Sequence, residues 1–461
     1  MVDIPASTAT SARLEISQYG LSPGGSFSGL FETAGDHDWI AVTLTAGTLY
    51  RFYGSGIGST GTTDTTMSIR NSAGVILTTN DDAGAGLNPY IELTAGATGT
   101  YYIDMALFSA AVPTGEYSVW VSSASVTNVF MTEGVDVVTA PGAGERVVGG
   151  AGNDTISLGA STGSVGFDAL GEQGNDTLNG NDQNNFVSGG IGNDVIFGFG
   201  GSDTLWGDAG TDQINGGAGN DEIFGGLGTD TMTGETGNDF YYVDNVGDII
   251  IEAAGGGTLD TVFTALNNYV LPSQVENLKL QGGTATLTGT GNSLNNEITG
   301  NLGANTLLGA GGNDTLLGGL GADLLNGGAG KDTMTGGGGL DRMVISSLAD
   351  SGVAFANRDV INTFAHGDKI DLAAIDANSL VGGDQAFTFV SDFTGAAGQL
   401  QWDLTGVSPT GVKGYLLQGD VNGDCAADFS FQIYTSPTAA LPGGSGDGIW
   451  RRGTLSSEAL P

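Results

Sequence analysis

Aspartate returns at a fixed step of nine residues along the middle of the chain. On the template GGxGxDxUx, with U a large apolar residue, the sixth position falls on Asp176, Asn185, Asp194, Asp203, Asp212, Asp221, Asp230 and Asp239. A second run keeps the phase through Asn296, Asn305, Asp314, Asp323, Asp332 and Asp341, and an isolated unit, GGAGNDTIS, carries Asp154. Carboxylates set among glycines that bring carbonyl oxygens close together are hard oxygen donors, and calcium takes ~6–8 such oxygens at ~2.3–2.6 Å. The candidate metal ligands are therefore Asp154, Asp176, Asp194, Asp203, Asp212, Asp221, Asp230, Asp239, Asp314, Asp323, Asp332 and Asp341. The plain alternative for each is turn capping.

The elements that must position these groups follow from the same period. Nine residues divide into a six-residue turn and a three-residue strand, so two units make one coil of a flattened spiral of parallel strands. Within the strand only U points inward, through Leu178, Val187, Ile196, Leu205, Ile214, Ile223, Met232 and Tyr241, then Ile298, Leu307, Leu316, Leu325, Met334 and Met343. One core side chain per unit is a thin return for ordering nine residues, which leaves the metal-free balance doubtful. Stacking brings same-edge aspartates to strand spacing of roughly 4.8 Å, where like charges repel unless a cation stands between them. The pairs are Asp176 with Asp194, Asp194 with Asp212, Asp212 with Asp230, Asp203 with Asp221, Asp221 with Asp239, Asp314 with Asp332, and Asp323 with Asp341. The neutral Asn185, Asn296 and Asn305 mark weak or absent sites near the leading ends.

Composition agrees with this chemistry. With 51 acidic against 12 basic side chains and a net charge of −39, the surface repels phosphate and anionic lipid, so nucleic acid is excluded as a partner. Glycine is abundant, at 83 residues, yet an apolar fraction of 39% is too high for a chain that never packs. The single cysteine, Cys425, allows no intramolecular disulfide. The opening MVDIPASTATSARLEISQYG lacks the basic and apolar regions of a cleavable secretory signal, and no stretch approaches the ~20 apolar residues of a transmembrane segment.

The fold class read from the whole chain is all-β: an N-terminal jelly-roll β-sandwich, a parallel β-roll and a C-terminal β-rich cap. The expected boundaries are 1–125 for the sandwich, 126–148 for a linker, 149–242 for the first array, 243–290 for a bridging β segment, 291–344 for the second array, 345–435 for the cap and 436–461 for a tail. Short alternating runs such as Trp39-Ile40-Ala41-Val42-Thr43-Leu44 support the sandwich. Its segments GDHDWIAVTLTAGTLYRF (35–52), SAGVILTTNDD (72–82) and TGTYYIDM (98–105) resemble the bacterial pre-peptidase C-terminal domain, which implies a non-catalytic module for targeting, substrate contact or solubility.

The nonapeptides resemble the RTX repeat of proteins exported by type I secretion. That resemblance implies calcium as the bound ion, a β-roll that is unfolded at cytosolic calcium and folds outside the cell, and export through an ABC transporter on an uncleaved C-terminal signal. RDVINTFAHGDKIDLAAIDAN (358–378) and YLLQGDVNGDCAADFSFQI (415–433) are similar to the C-terminal domain of serralysin-type metalloproteases, which implies a cap on the roll that carries the export signal. The chain departs from that pattern by running on past Phe429 to GTLSSEALP.

No catalytic apparatus is evident. A zincin needs two histidines one helical turn apart, and this chain has only the distant His37 and His366. The expectation is a secreted, non-catalytic calcium-binding surface, matrix or adhesion component, with a cell-surface polysaccharide or a secreted protein as partner. The alternative is an accessory or substrate-binding subunit of a secreted hydrolase. Three secondary features remain. Asp420, Asn422, Asp424 and Asp428 open like an EF-hand loop, but Cys425 takes the place of its sharp-turn glycine. Asp36, Asp38, Asn80, Asp81 and Asp82 are either a metal cluster or turn residues. Trp206, Phe224 and Tyr242 form an outward stripe that needs a cover, either the bridging segment, the outward Leu308 and Leu317, or a partner.

Overall fold

The computed structural model describes residues 25–31, 37–57, 65–80, 90–107, 115–124, 127–131, 134–139, 145–159, 168–365, 367–382, 385–407, 412–435 and 454–456. They are almost wholly strand and turn, the one helical element among them being the short 3-10 turn Phe355–Asn357. The chain divides into two compact units: Met1–Gly257 with Phe263–Leu266 and Gln281–Gly283, and Thr258–Val262 with Asn267–Leu280 and Thr284–Pro461.

In the first unit, two four-stranded antiparallel sheets face each other. One runs Gly25–Phe31, Gly115–Ala124, Leu49–Ile57, Tyr90–Thr94, and the other His37–Leu44, Gly99–Leu107, Thr65–Arg70, Ile76–Asn80. The period-two alternation places Ile40, Val42, Leu44, Phe52, Met67, Ile69, Ile103 and Met105 in the shared core. On the opposite face of the second sheet, Arg70 Nε donates to the buried Asp104 at 2.7 Å and its guanidinium lies over the Trp39 ring, 4.7 Å from the centroid.

Two parallel sheets of the roll follow. The first contains Thr127–Phe130, Glu145–Ala151, Asp168–Gln173, Phe186–Ile191, Thr204–Gly210, Glu222–Phe224 and Phe240–Val243; the second contains Val137–Thr139, Thr155–Ser157, Thr177–Asn181, Val195–Gly200, Gln213–Ala218, Thr231–Thr236 and Ile249–Ile251. Through the array each residue pairs with the residue eighteen positions on: Leu178 with Ile196, Ile196 with Ile214, Val187 with Leu205, and Leu205 with Ile223. This register lays every U residue over the next, and all of them are buried.

The segment expected to be a linker is part of the spiral. Thr127–Phe130 pairs in parallel with Glu145–Ala151, and Val137–Thr139 with Thr155–Ser157. Asp136 in it lies eighteen residues before Asp154 and gives its N–H to Asp154 Oδ1 at 2.9 Å, so the aspartate ladder already begins here, although the unit lacks its first two glycines.

The second unit repeats the plan. Asn277–Leu280, Glu297–Thr299, Thr315–Leu320, Thr333–Gly338 and Asp359–Phe364 form one sheet; Tyr269–Val270, Thr288–Thr290, Thr306–Leu308, Leu324–Asn326, Arg342–Val344 and Lys369–Asp371 form the other. Gln399–Val407, Lys413–Asp420 and Phe429–Thr435 then run antiparallel, and the last of them pairs in parallel with Asp359–Phe364, Ile433 opposite Ile361. Phe429, Phe431 and Tyr415 bury against this end.

The aromatic stripe is covered within the chain. Trp206, Phe224 and Tyr242 are only 4%, 5% and 8% exposed. Their rings stack down one sheet with centroids 4.6 and 4.0 Å apart, and Tyr242 continues onto Phe263 of the bridging segment at 4.8 Å. Leu308 and Leu317 are half-buried in the other unit.

Candidate metal centre

The eighteen-residue register places the predicted carboxylates one above another along both edges of the roll. All twelve predicted ligands are buried. Within each edge, one carboxylate oxygen is used by the fold. Oδ1 accepts the backbone N–H of the ladder residue one coil back: Asp176 from Asp154 at 2.7 Å, Asp194 from Asp176 at 2.7 Å, Asp212 from Asp194 at 2.8 Å and Asp230 from Asp212 at 2.9 Å. On the other edge Asp203 accepts from Asn185, Asp221 from Asp203 and Asp239 from Asp221, at 2.7–2.8 Å. The second array repeats this with Asp314 from Asn296, Asp323 from Asn305, Asp332 from Asp314 and Asp341 from Asp323.

The other oxygen has no protein partner. Oδ2 of Asp154, Asp176, Asp194, Asp203, Asp212, Asp221, Asp230, Asp314, Asp323, Asp332 and Asp341 is buried and makes no hydrogen bond. A buried carboxylate oxygen left this way is costly unless a cation binds it. The first glycine of the unit borders the same place. A Cβ on Gly149 would stand 2.6 Å from Asp154 Oδ2 and 2.7 Å from the Gly171 carbonyl one coil on; on Gly318 it would stand 2.5 Å from both Asp323 Oδ2 and the Gly336 carbonyl. Glycine is required there because a side chain would fill the space between carboxylate and carbonyl. The donor set is therefore hard oxygen from two successive coils, which fits calcium. Bound calcium would neutralise the ladder and tie coil to coil.

Without a metal the carboxylates from Asp194 to Asp230 and from Asp314 to Asp332 resist ionisation. Burial, partly offset by the N–H to Oδ1 bond, pushes Asp194 up to about 7, Asp203 and Asp212 to about 8, and Asp221 and Asp230 to about 6. In the second array burial raises Asp314 to about 7 and Asp323 and Asp332 to about 6. Neighbouring ladder aspartates add to the rise, as Asp230 and Asp194 do for Asp212.

The surroundings of Asp239 differ from those of the other ladder carboxylates. A Cβ on Gly234 would run into Asp239 Oδ2, the Tyr241 hydroxyl and Glu252 Oε1, and that hydroxyl donates to Glu252. A tyrosine and a glutamate stand here where a glycine carbonyl stands elsewhere.

The asparagine units are closed by protein alone. Asn185 Oδ1 accepts the N–H of Asn181 at 2.7 Å and its amide donates back to Asn181 Oδ1 at 3.3 Å; Asn296 with Asn292 and Asn305 with Asn301 repeat the exchange.

Besides Asp136, whose N–H binds Asp154 Oδ1 at 2.9 Å, three ladder acceptors escaped the sequence reading. Asp248 Oδ1 accepts from Asp230, Asp359 Oδ1 from Asp332 and Asp368 Oδ1 from Asp341, at 2.9–3.1 Å. Asp248 lies nine residues beyond Asp239, so the phase alone reaches it, but valine replaces glycine at positions 243 and 246. Asp359 and Asp368 lie twenty-seven residues beyond their partners, out of step by one unit. The second oxygens of Asp248 and Asp368 accept backbone N–H groups, from Asn245 and Ala365, so these two residues cap their edges instead of offering a ligand.

The loop at Asp420 is also used by the fold. Asp420 Oδ1 accepts from Gly423 at 2.6 Å and Oδ2 from Cys425 at 3.1 Å, while Asp428 accepts from Val421 and from the Asn422 amide. Cys425 takes φ +67°, the left-handed conformation that the missing glycine would have adopted without strain. Asp36, Asp81, Asp82 and His366, and the side chains of His37, Asp38 and Asn80, lie outside the described residues.

The RTX calcium-binding nonapeptide repeat family (4 copies) matches residues 142–162, 170–205, 179–214, 206–241, 290–325 and 308–343. The repeat region is thus an RTX β-solenoid that binds several calcium ions. No curated protein matches the chain. Among solved structures it is similar to PliG, a periplasmic lysozyme inhibitor of g-type lysozyme from Aeromonas hydrophila, at 16% identity over 25% of this chain and 99% of that one, with a TM-score of 0.21. It is also similar to the pre-peptidase C-terminal domain of collagenase from Bacillus anthracis, at 12% identity over 25% of this chain and 100% of that one, with a TM-score of 0.19. No helix among the described residues is long and apolar enough to cross a membrane.

Proposed function

We propose that this chain is a secreted, non-catalytic calcium-binding protein whose roll closes on extracellular calcium and holds the N-terminal sandwich out as a presenting or adhesive module at a cell surface or in a matrix. One observation carries the reading: a file of buried aspartate Oδ2 atoms with no protein partner on each edge of the roll. A fold with so many uncompensated carboxylates is poorly stable where calcium is scarce and stable where it is plentiful, which is the difference between the inside and the outside of a cell. Such a chain suits export unfolded through a type I ABC transporter, and a single cysteine suits it to an oxidising medium.

Far-ultraviolet circular dichroism during a calcium titration, with magnesium as control, tests the folding claim. A cooperative gain of β signal with calcium alone is expected, and a spectrum indifferent to calcium and chelator would refute it. Turnover in a screen of hydrolase substrates would sink the non-catalytic claim. A stoichiometric hydrolase co-purifying from culture supernatant would replace the presenting role with that of an accessory subunit.

A further inference from the structure

Residues 267–280 and 284–309 contain no aspartate, and their turns are closed by asparagine. Asn296 Oδ1 accepts the Asn292 N–H at 2.8 Å, and its amide donates to Asn292 Oδ1 at 3.2 Å, the Glu276 carbonyl at 3.1 Å and the Val275 carbonyl at 3.3 Å. Asn292 in turn donates to the carbonyls of Pro272 and Val275, both at 2.7 Å. On the opposite edge Asn305 Oδ1 accepts the Asn301 N–H at 2.8 Å and its amide returns to Asn301 Oδ1 at 3.0 Å. An amide carries both a donor and an acceptor, so it completes inside the protein what a carboxylate leaves for a cation.

This block also has its own core. Leu271, Val275, Leu278, Leu280, Leu287, Ile298 and Leu307 are buried, and its strands pair in register, Leu278 opposite Ile298 and Gly289 opposite Leu307. At its far side it presents two backbone donors, one per edge. The N–H of Asn296 binds Asp314 Oδ1 and the N–H of Asn305 binds Asp323 Oδ1, both at 2.7 Å, which leaves each Oδ2 facing the metal position.

We propose that residues 267–280 and 284–309 form a calcium-independent seed that stays folded when the metal is absent and templates the calcium-driven closure of the coils at Asp314, Asp323, Asp332 and Asp341. The inference rests on the calcium-driven folding proposed above. In a stacked repeat the costly step is the first coil, since each later one adds to an existing face. A seed closed by amides removes that step from the metal's task and fixes where the second array begins.

Hydrogen–deuterium exchange of the full chain, in chelator and in calcium, tests this. In chelator, Asn277–Leu280, Glu297–Thr299 and Thr306–Leu308 should be protected while Thr315–Leu320, Leu324–Asn326 and Thr333–Gly338 exchange fast, and calcium should protect the second set. Equal, fast exchange of both sets in chelator overturns the seed and leaves calcium-driven folding standing. Protection of the aspartate strands in chelator overturns calcium-driven folding, and with it any need for a seed. The double variant Asn296→Ala with Asn305→Ala should raise the calcium midpoint of the second set about fivefold or more without changing the number of ions bound. An unchanged midpoint would refute the templating role.

Discussion

Asp194 Oδ1 accepts the backbone N–H of Asp176 at 2.7 Å, while Oδ2 of the same carboxylate is buried without a protein partner. One side chain thus divides its work, one oxygen holding the coils in register and the other left for the metal.

Two substitutions at this residue separate the roles. Asp194→Asn keeps an acceptor for the Asp176 N–H and removes the charge, so calorimetric titration should find fewer calcium ions bound. Asp194→Ala removes the acceptor as well and should cost a further ~1–3 kcal/mol in calcium-loaded denaturant melts, because a buried N–H is orphaned. Equal stability of the two variants would contradict the structural role of Oδ1.

The first glycine of each unit makes a steric prediction. Gly318→Ala sets a methyl 2.5 Å from both Asp323 Oδ2 and the Gly336 carbonyl. Calcium bound at Asp323 should be lost, and the thermal midpoint should fall in calcium far more than in chelator. A matched fall in both media would mean that the methyl perturbs the turn and not the metal position.

Burial raises the ladder carboxylates, to about 6 at Asp221 and about 8 at Asp203 in the folded, metal-free chain, above the ~3.9 of an unfolded aspartate. A raised acid favours the fold most fully below the unfolded value and loses that contribution as pH climbs through the folded value. In chelator, stability should therefore decline from about pH 4 to about pH 8. In saturating calcium the trend should reverse, since protons and metal compete for the same oxygens. Thermal melts across this range in both media check the sign; a metal-free roll most stable at pH 8 would contradict it.

Trp206 lies between Phe186 and Phe224, with ring centroids 6.3 and 4.6 Å away. Trp206→Ser should destabilise the calcium-loaded monomer by about 3–5 kcal/mol, as expected for removal of a buried large aromatic. Unchanged stability would show that the stripe contributes little to the fold.

The sequence carried the ladder because its chemistry is periodic: an aspartate and an apolar residue each held at nine-residue steps specify turn, strand and register together. It did not carry what breaks the period. Asp359 and Asp368 keep the nine-residue count, but each pairs three units back instead of two, and only the folded chain shows them receiving the N–H groups of Asp332 and Asp341. Thr127–Phe130 has no aspartate, and Val137–Thr139 follows Asp136, eighteen residues before Asp154, in a unit with methionine and threonine in place of its first two glycines, so both read as linker. The burial of Trp206 was open for a similar reason, as alternation gives the face of a strand but not what lies on that face.

The spacing of the ladder also limits how such a chain can change length. Most steps along an edge are eighteen residues, whereas Asp154 to Asp176 takes twenty-two and Asp332 to Asp359 twenty-seven. A gain or loss of eighteen residues returns every side chain to its own edge and face. The other steps keep edge and core as well: Asp359 stays on the edge of Asp332, and Ile156 opposite Leu178, Leu278 opposite Ile298 and Met334 opposite Ile361 are all buried across steps of twenty-two, twenty and twenty-seven residues. A whole coil can therefore be duplicated or deleted without touching the register, whereas any other change of length must be taken up in a turn, as it is before Asp176, Ile298 and Asp359.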